Sequence, residues 1–441
     1  DKRMTGGLKK TTSRLAIATI ASVVASGAFA ADLGGNCCAD LEERVAELEA
    51  TTARKGGRKV KLTVSGHVNE AVMFWDDGTE SNAYIVSNNM SRTRFRFVGD
   101  AKINSDWSAG YLLEIGVRYA NSGNRNQGTN AAGGESNSLD IRHSAWWLER
   151  KDLGRIWVGQ TSTATDGITE INLANAITGG VDASAWQGGF FLNGTAGLKW
   201  NDVTPSQAGA WGVGEGDRNN VVKYVSPTLH GFTASAAWGE DDQWDVALRY
   251  AGEFNGIRVA AGIGYRQIND NFGKNGGDGP RCADLLVAVS ASAVDCNSLG
   301  LSGSIMHVPT GLYVHSAWGR LEDKNRTKLP GGVGAKDTEE SFYVQAGIEK
   351  NFFGIGKTTL FGEYGDYQAG AGLAAQGVNL AGFVSADTTV WGIGLTQGID
   401  AAAMDLYIGY KNFSTDVNQT ATTKLPVKDF DAVVMGGIIR F

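Results

Sequence analysis

From residue 58 to the carboxyl terminus the chain is a succession of segments in which apolar and polar residues alternate. In the first, Val60, Leu62, Val64, Gly66, Val68, Val72 and Phe74 alternate with Lys59, Lys61, Thr63, Ser65, His67 and Asn69. A period of two sends successive side chains to opposite faces of an extended backbone, so such a segment reads as a strand with one apolar and one polar face. In the second, Arg92, Arg94 and Arg96 share one face, while Phe95 and Phe97 take the other. Further runs begin near residues 107, 139, 154, 219, 229, 243, 256, 297, 310, 341, 356, 386, 402 and 430, which makes sixteen in all.

The connections decide what kind of sheet this is. Short turns fall near 104–106, 151–154, 226–228, 253–256, 309–311, 353–356 and 398–400. Between them lie mostly long, polar stretches at 76–89, 120–138, 161–218, 268–296, 321–340, 368–385 and 414–429, with a tight one at 240–242. Short turns at one end and long loops at the other are the asymmetry of barrels that cross the bacterial outer membrane. A soluble sandwich has no reason to sort its loops by end. Lipid accounts for the apolar face and an aqueous lumen for the polar one. The expected fold is all-β, a 16-stranded antiparallel transmembrane β-barrel over residues 58–441. Phe74, Trp75, Trp107, Trp146, Trp147, Phe254, Trp318 and Tyr410 lie near strand ends, where aromatic girdles are expected.

Composition agrees. There are 61 Gly but 6 Pro among 441 residues, which suits a curved sheet and argues against a disordered chain. The apolar run Leu15–Ala30 is too short to span a bilayer as a helix, which needs about 20 residues. Lys9, Lys10 and Arg14 precede it and Ala28-Phe29-Ala30 closes it, so residues 1–30 read as a secretory signal peptide, with Asp1–Arg3 standing before the expected start at Met4. The formal net charge of −7 gives no general attraction to nucleic acid.

Residues 31–57 read as a periplasmic segment with a short coiled-coil helix. Cys38, Leu41, Val45, Leu48 and Thr52 step by three and four, the seam of a heptad repeat, with Arg44 and Glu49 at flanking charged positions. Two heptads are too short to assemble alone. At the other end, Val433, Met435, Gly437, Ile439 and the terminal Phe441 share one face of the last strand. A final aromatic on such a strand is the expected signal for the barrel-insertion machinery.

These residues carry a resemblance. The segment after residue 30, Leu62-Thr-Val-Ser-Gly66, Ser91-Arg-Thr-Arg-Phe-Arg-Phe97 and Val158-Gly-Gln-Thr161-Ser-Thr-Ala-Thr-Asp-Gly167 together resemble the outer-membrane porin family of alphaproteobacteria. The resemblance spans residues 31–441 and is most specific in the first third. It implies a homotrimer of sixteen-stranded barrels, set in an outer membrane with lipopolysaccharide, each a water-filled channel for small hydrophilic solutes and ions. It also implies that the third outside loop, here 161–218, folds inward to narrow the pore. That segment is by far the longest loop, and a loop of such length without strands of its own is uncommon unless functional.

No catalytic constellation or cofactor motif stands out, and an enzyme is not expected. No metal site is expected either. The candidate functional groups are charges in the pore. Arg92, Arg94 and Arg96 would stand about 6.8 Å apart along one face. Asp166, Glu170 and Asp182 on the inward loop would oppose them, and opposed rings of charge sort solutes by charge and dipole. Alternatively, the arginines brace the wall by pairing with carboxylates of neighbouring strands. Cys282 and Cys296 sit in one outside loop, where a local disulfide is easy to close and worth about 3 kcal/mol. The leading expectation is a passive diffusion channel. Its alternatives are a substrate-selective channel and a structural or adhesive envelope protein tethered through the coil.

Overall fold

The computed structural model describes residues 60–128, 138–193, 197–205, 213–239, 243–269, 295–324, 336–370, 383–420 and 422–441. The expected signal peptide, the coiled-coil segment 31–57 with its seam Cys38–Thr52, and Cys282 lie outside these residues. In chain order the strands are β1 (Lys61–Asp76), β2 (Ser81–Ser87), β3 (Arg94–Lys102), β4 (Trp107–Arg118), β5 (Ser138–Arg150) and β6 (Gly154–Ser162). Next come β7 (Arg218–Val225), β8 (Phe232–Gly239), β9 (Trp244–Phe254), β10 (Ile257–Asn269), β11 (Asp295–His307) and β12 (Leu312–Asp323). The last are β13 (Thr338–Lys350), β14 (Thr358–Ala369), β15 (Ser385–Ile399), β16 (Met404–Asn418), β17 (Lys424–Leu425) and β18 (Phe430–Arg440).

Every strand pairs antiparallel with its neighbours, and the sheet closes on itself. β1 pairs with β18 from His67↔Arg440 to Asp76↔Asp431, and with β3 from Lys61↔Asp100 to His67↔Arg94. The last residue extends the seam. Phe441 donates its N–H to Gly66 at 3.1 Å, and Gly66 returns one to Phe441 at 3.0 Å. The result is a 16-strand wall, because β2 and β3 are two halves of one broken strand and β17 is a two-residue piece beside β16.

The broken strand is where the structure departs from the sequence reading. Residues 76–89 read as an outside loop, yet Ser81–Ser87 turns straight back and pairs with Glu70–Asp76 of β1. The turn between them is tight because Asp77 accepts N–H groups from Thr79 (2.9 Å) and Glu80 (2.8 Å). A single 3-10 turn at Asn89–Ser91 then interrupts the ladder, so Arg92 stands before β3 rather than within it.

Lipid-facing positions are apolar as the alternation requires. Leu301, Val314, Phe342, Tyr364, Trp391 and Ile408 are all exposed on the barrel's outside. Inside, the expectation of a polar face holds on β11, with Ser298, Ser302 and Ser304, and fails around the seam. There Met73, Trp75, Tyr407, Phe413, Phe430 and Val434 form an apolar cluster with residues of the 163–217 loop. Trp75 and Trp147, expected in the girdles, are both buried: Trp75 packs on Phe190 at 4.9 Å and Trp147 lies under Arg155 at 4.3 Å.

Candidate functional site

The break between β2 and β3 turns the chain into the lumen, and β1 holds it there. Asn69 donates its side-chain amide to the Ser91 carbonyl at 2.8 Å, and the His67 ring meets the Arg92 carbonyl at 2.9 Å. Asn88 caps the turn by accepting from the Met90 N–H at 3.1 Å. This delivers three arginines to one side of the pore, but not as a free ladder. Arg94 and Arg96 both pair with Glu114 of β4, which faces Arg96 in register. The Arg96 Nε donates to that carboxylate at 2.7 Å. A register shift in the β4–β5 ladder leaves Arg142 as an extra residue, and it adds a third guanidinium to Glu114 at 2.7 Å. Arg92 pairs instead with Asp140 at 3.3 Å, which also holds Arg118 at 3.1 Å. The wall-bracing alternative is thus realised in part. Yet five guanidinium groups share two carboxylates, so this side of the lumen keeps a surplus of positive charge.

The opposite side is built by the loop between β6 and β7, which is bound to the inner wall over nearly half its circumference. Asp245 of β9 accepts the N–H groups of Ala164 (3.0 Å) and Thr165 (2.7 Å), and Arg249 donates to the carbonyls of Ala164 and Asp166. Ser302 of β11 donates its hydroxyl to the Ile168 carbonyl at 2.6 Å, and Gln345 of β13 accepts from the Asn172 side-chain amide at 2.8 Å. Asn175 then donates its N–H to Glu349 at 2.7 Å and its amide to Asp405 at 3.2 Å. Gly180 donates to Glu363 of β14 at 3.1 Å. Glu363 is itself paired with Lys411 of β16 at 3.0 Å, both almost fully buried, and Lys411 lies over the ring of Trp186 at 4.9 Å. Trp186 belongs to a one-turn helix, α1 (Ser184–Gln187), and a second, α2 (Trp200–Val203), packs beside it in the apolar cluster. The loop's return leg presses on β11 and β12 where they carry glycine: a Cβ on Gly319 would lie 2.1 Å from the Val213 carbonyl oxygen.

The loop places its acids differently from one another. Asp166 lies 3.9 Å from Arg218 of β7, an arginine outside the sequence-derived set. Glu170 is open to the lumen, and Arg218 and Arg94 are the cations that act on it. Crowding by protein atoms inside the narrow pore, and then the like charges of Asp166 and Asp182, push its carboxyl up to about 7. Asp182 accepts the Ser184 hydroxyl at 2.9 Å beside α1. A fourth acid, Glu215 on the return leg, is buried and accepts the Thr169 N–H at 3.1 Å. Burial, with Glu170 and Asp166 adding to it, holds that carboxyl well above the ordinary range.

The two sides meet. A cavity of about 320 Å³ is lined by Glu170, Asn172, Asn175 and Gly180 from the loop and by Met90, Ser91 and Arg440 from the wall. Gly180 is the contact point, since a Cβ there would lie 2.6 Å from the Met90 methyl. Of the sequence-derived residues, Glu170 lines this cavity, Arg94, Asp166 and Asp182 act on its carboxylate electrostatically, and Arg92 and Arg96 are held on the wall by Asp140 and Glu114. Sequence reasoning missed Glu114, Arg118, Asp140, Arg142, Arg218 and Glu215. For Glu114 the signal is its register opposite Arg96, which emerges once the strands are paired. Cys296, buried at the start of β11, is disulfide-bonded. Among the described residues no group of three His, Cys, Asp or Glu could hold a metal.

Solved structures similar to this one are outer-membrane proteins. They include OmpT of Vibrio cholerae (12% identity, 87% of this chain, 98% of that one, TM-score 0.52) and an anion-selective porin from Comamonas acidovorans (15%, 87% and 100%, 0.50). The outer membrane channel DcaP of Acinetobacter baumannii is a third (11%, 88% and 99%, 0.51). At such identities the likeness concerns the fold. No curated protein matches the chain in sequence. The sequence pattern of the Gram-negative porins, however, matches residues 16–419, nearly the whole barrel: the chain belongs to the Gram-negative porin family.

Proposed function

We propose that this protein is a general diffusion channel of the outer membrane whose constriction sorts small hydrophilic solutes and ions by charge. Membership of the porin family makes it a passive diffusion channel of that membrane and supports the reading that it is not an enzyme. The finer reading rests on one observation. A wall carrying five arginines on two carboxylates faces a loop whose Glu170 opens to the same lumen. Opposed charges across a narrow, partly dehydrated gap impose a transverse field on whatever passes. The assembly we propose is a homotrimer, in contact with lipopolysaccharide and inserted by machinery that reads Phe441.

Planar-bilayer recordings test the function. Large ohmic steps are expected. Small steps blocked by one solute class would favour the substrate-selective alternative, and absent conductance would favour a tethered structural role. Neutralising Asp166→Asn and Glu170→Gln together is expected to move the reversal potential in a salt gradient toward anions. An unchanged reversal potential would show that these acids serve the loop's structure alone.

A further inference from the structure

On the lipid-facing side of the wall, the ends of β10–β14 nearest the short turns carry a groove of about 830 Å³. Its floor is Ala346 and Gly362, which face each other across β13 and β14. Ile305, Leu312, Val314 and Leu360 rise around it, and each is exposed. The groove exists because two positions in a row of bulky outward residues are small. The space above Gly362 is open: a Cβ built there meets nothing nearer than the Gly392 carbonyl oxygen at 3.9 Å. Short turns mark the periplasmic end of such a barrel, so the groove lies in the leaflet facing the periplasm.

Its periplasmic end is basic. His307 lines it. Lys350 follows Ile348 by two residues on the same outward face, is exposed, and makes no ion pair among the described residues. Its ammonium lies 3.5 Å from the Pro309 carbonyl. The nearest acid in sequence, Glu349, points to the lumen side and is taken by Lys357 at 2.7 Å. The adjoining turn exposes Phe352 and Phe353, at 52% and 70%, residues suited to the membrane–water interface. An apolar groove that ends in an unneutralised cation at interface height complements an amphiphile with an anionic head and an alkyl tail.

We propose that this groove is a binding site for an anionic phospholipid. One acyl chain lies over Ala346 and Gly362, and the phosphate sits beside Lys350 and His307. The test is native mass spectrometry of the full-length protein in mild detergent, offered equal amounts of phosphatidylglycerol and phosphatidylethanolamine. Wild-type protein is expected to retain one phosphatidylglycerol per barrel, several-fold above phosphatidylethanolamine. Gly362→Phe fills the groove and is expected to lose at least five-fold of the retained lipid while still showing the heat-shifted gel mobility of a folded barrel. Ala346→Leu serves the same purpose should Gly362→Phe not fold. Lys350→Ala is expected to keep a bound lipid and lose the preference for phosphatidylglycerol. Equal retention by wild type and a folded filled variant overturns the site, and a preference that survives Lys350→Ala overturns the headgroup assignment. A filled variant that binds lipid normally but dissociates into monomers would give this face to a second copy of the chain instead.

Discussion

Glu114 is the residue on which the arginine wall depends. Its carboxylate is fully buried and is shared by Arg94, Arg96 and Arg142. Glu114→Gln removes the charge while keeping the size, and leaves three guanidinium groups crowded with weaker acceptors. A loss of about 1–3 kcal/mol is expected, read as a lower unfolding temperature of the barrel, together with a shift of the reversal potential toward anions. Glu170 acts in the same sense from the other side of the pore, with a pH dependence of its own. Its carboxyl titrates at about 7, so it is charged above that pH and neutral below it. Cation preference is therefore expected to fall as the pH drops from 8 to 6, and Glu170→Gln to remove that dependence. A titration that persists unchanged in Glu170→Gln would assign it to another group.

Among the elements, the 163–217 loop is anchored most firmly where it is driest. Trp186 is buried beneath Lys411, whose partner Glu363 also receives the Gly180 N–H. Truncating a buried tryptophan commonly costs about 3–5 kcal/mol. Trp186→Ala is expected to loosen the loop and give larger, noisier single-channel steps; wild-type steps would mean that the Asp245 and Ser302 contacts suffice. The same packing explains what the sequence did and did not disclose. Where lipid lies outside and water inside, alternation is compulsory, and apart from the second, every wall strand begins within three residues of where the pattern puts it. Where the loop displaces water from the lumen, the rule lapses. In β18 Val433 faces lipid and Val434 faces the loop cluster, so neither face stands out as polar. β2 was hidden because Ser81-Asn-Ala-Tyr84 beside a glycine turn has the composition of a loop. The arginines were legible as a pattern; their partners depend on register, which no single strand encodes.

For the whole molecule, the proposed trimer and the coil over residues 38–52 would bring Cys37 and Cys38 near their counterparts in neighbouring chains. Non-reducing electrophoresis of denatured protein is expected to show cross-linked chains that vanish in Cys37→Ser/Cys38→Ser; monomers alone in the wild type would count against the coil. The alphaproteobacterial likeness rests on the quoted motifs, while the family itself rests on the match over residues 16–419. The seam carries a further consequence. His67 pairs with Arg440, and Gly66 with the terminal Phe441, so the first wall strand waits for the last. Closing a loop that spans almost the whole barrel is entropically the most demanding contact available. Until then two strand edges stay open and ready to pair with any passing chain. A wall without β18 is thus not a smaller pore but an unclosed ribbon, and the pairing of β1 with β18 becomes a condition of closure.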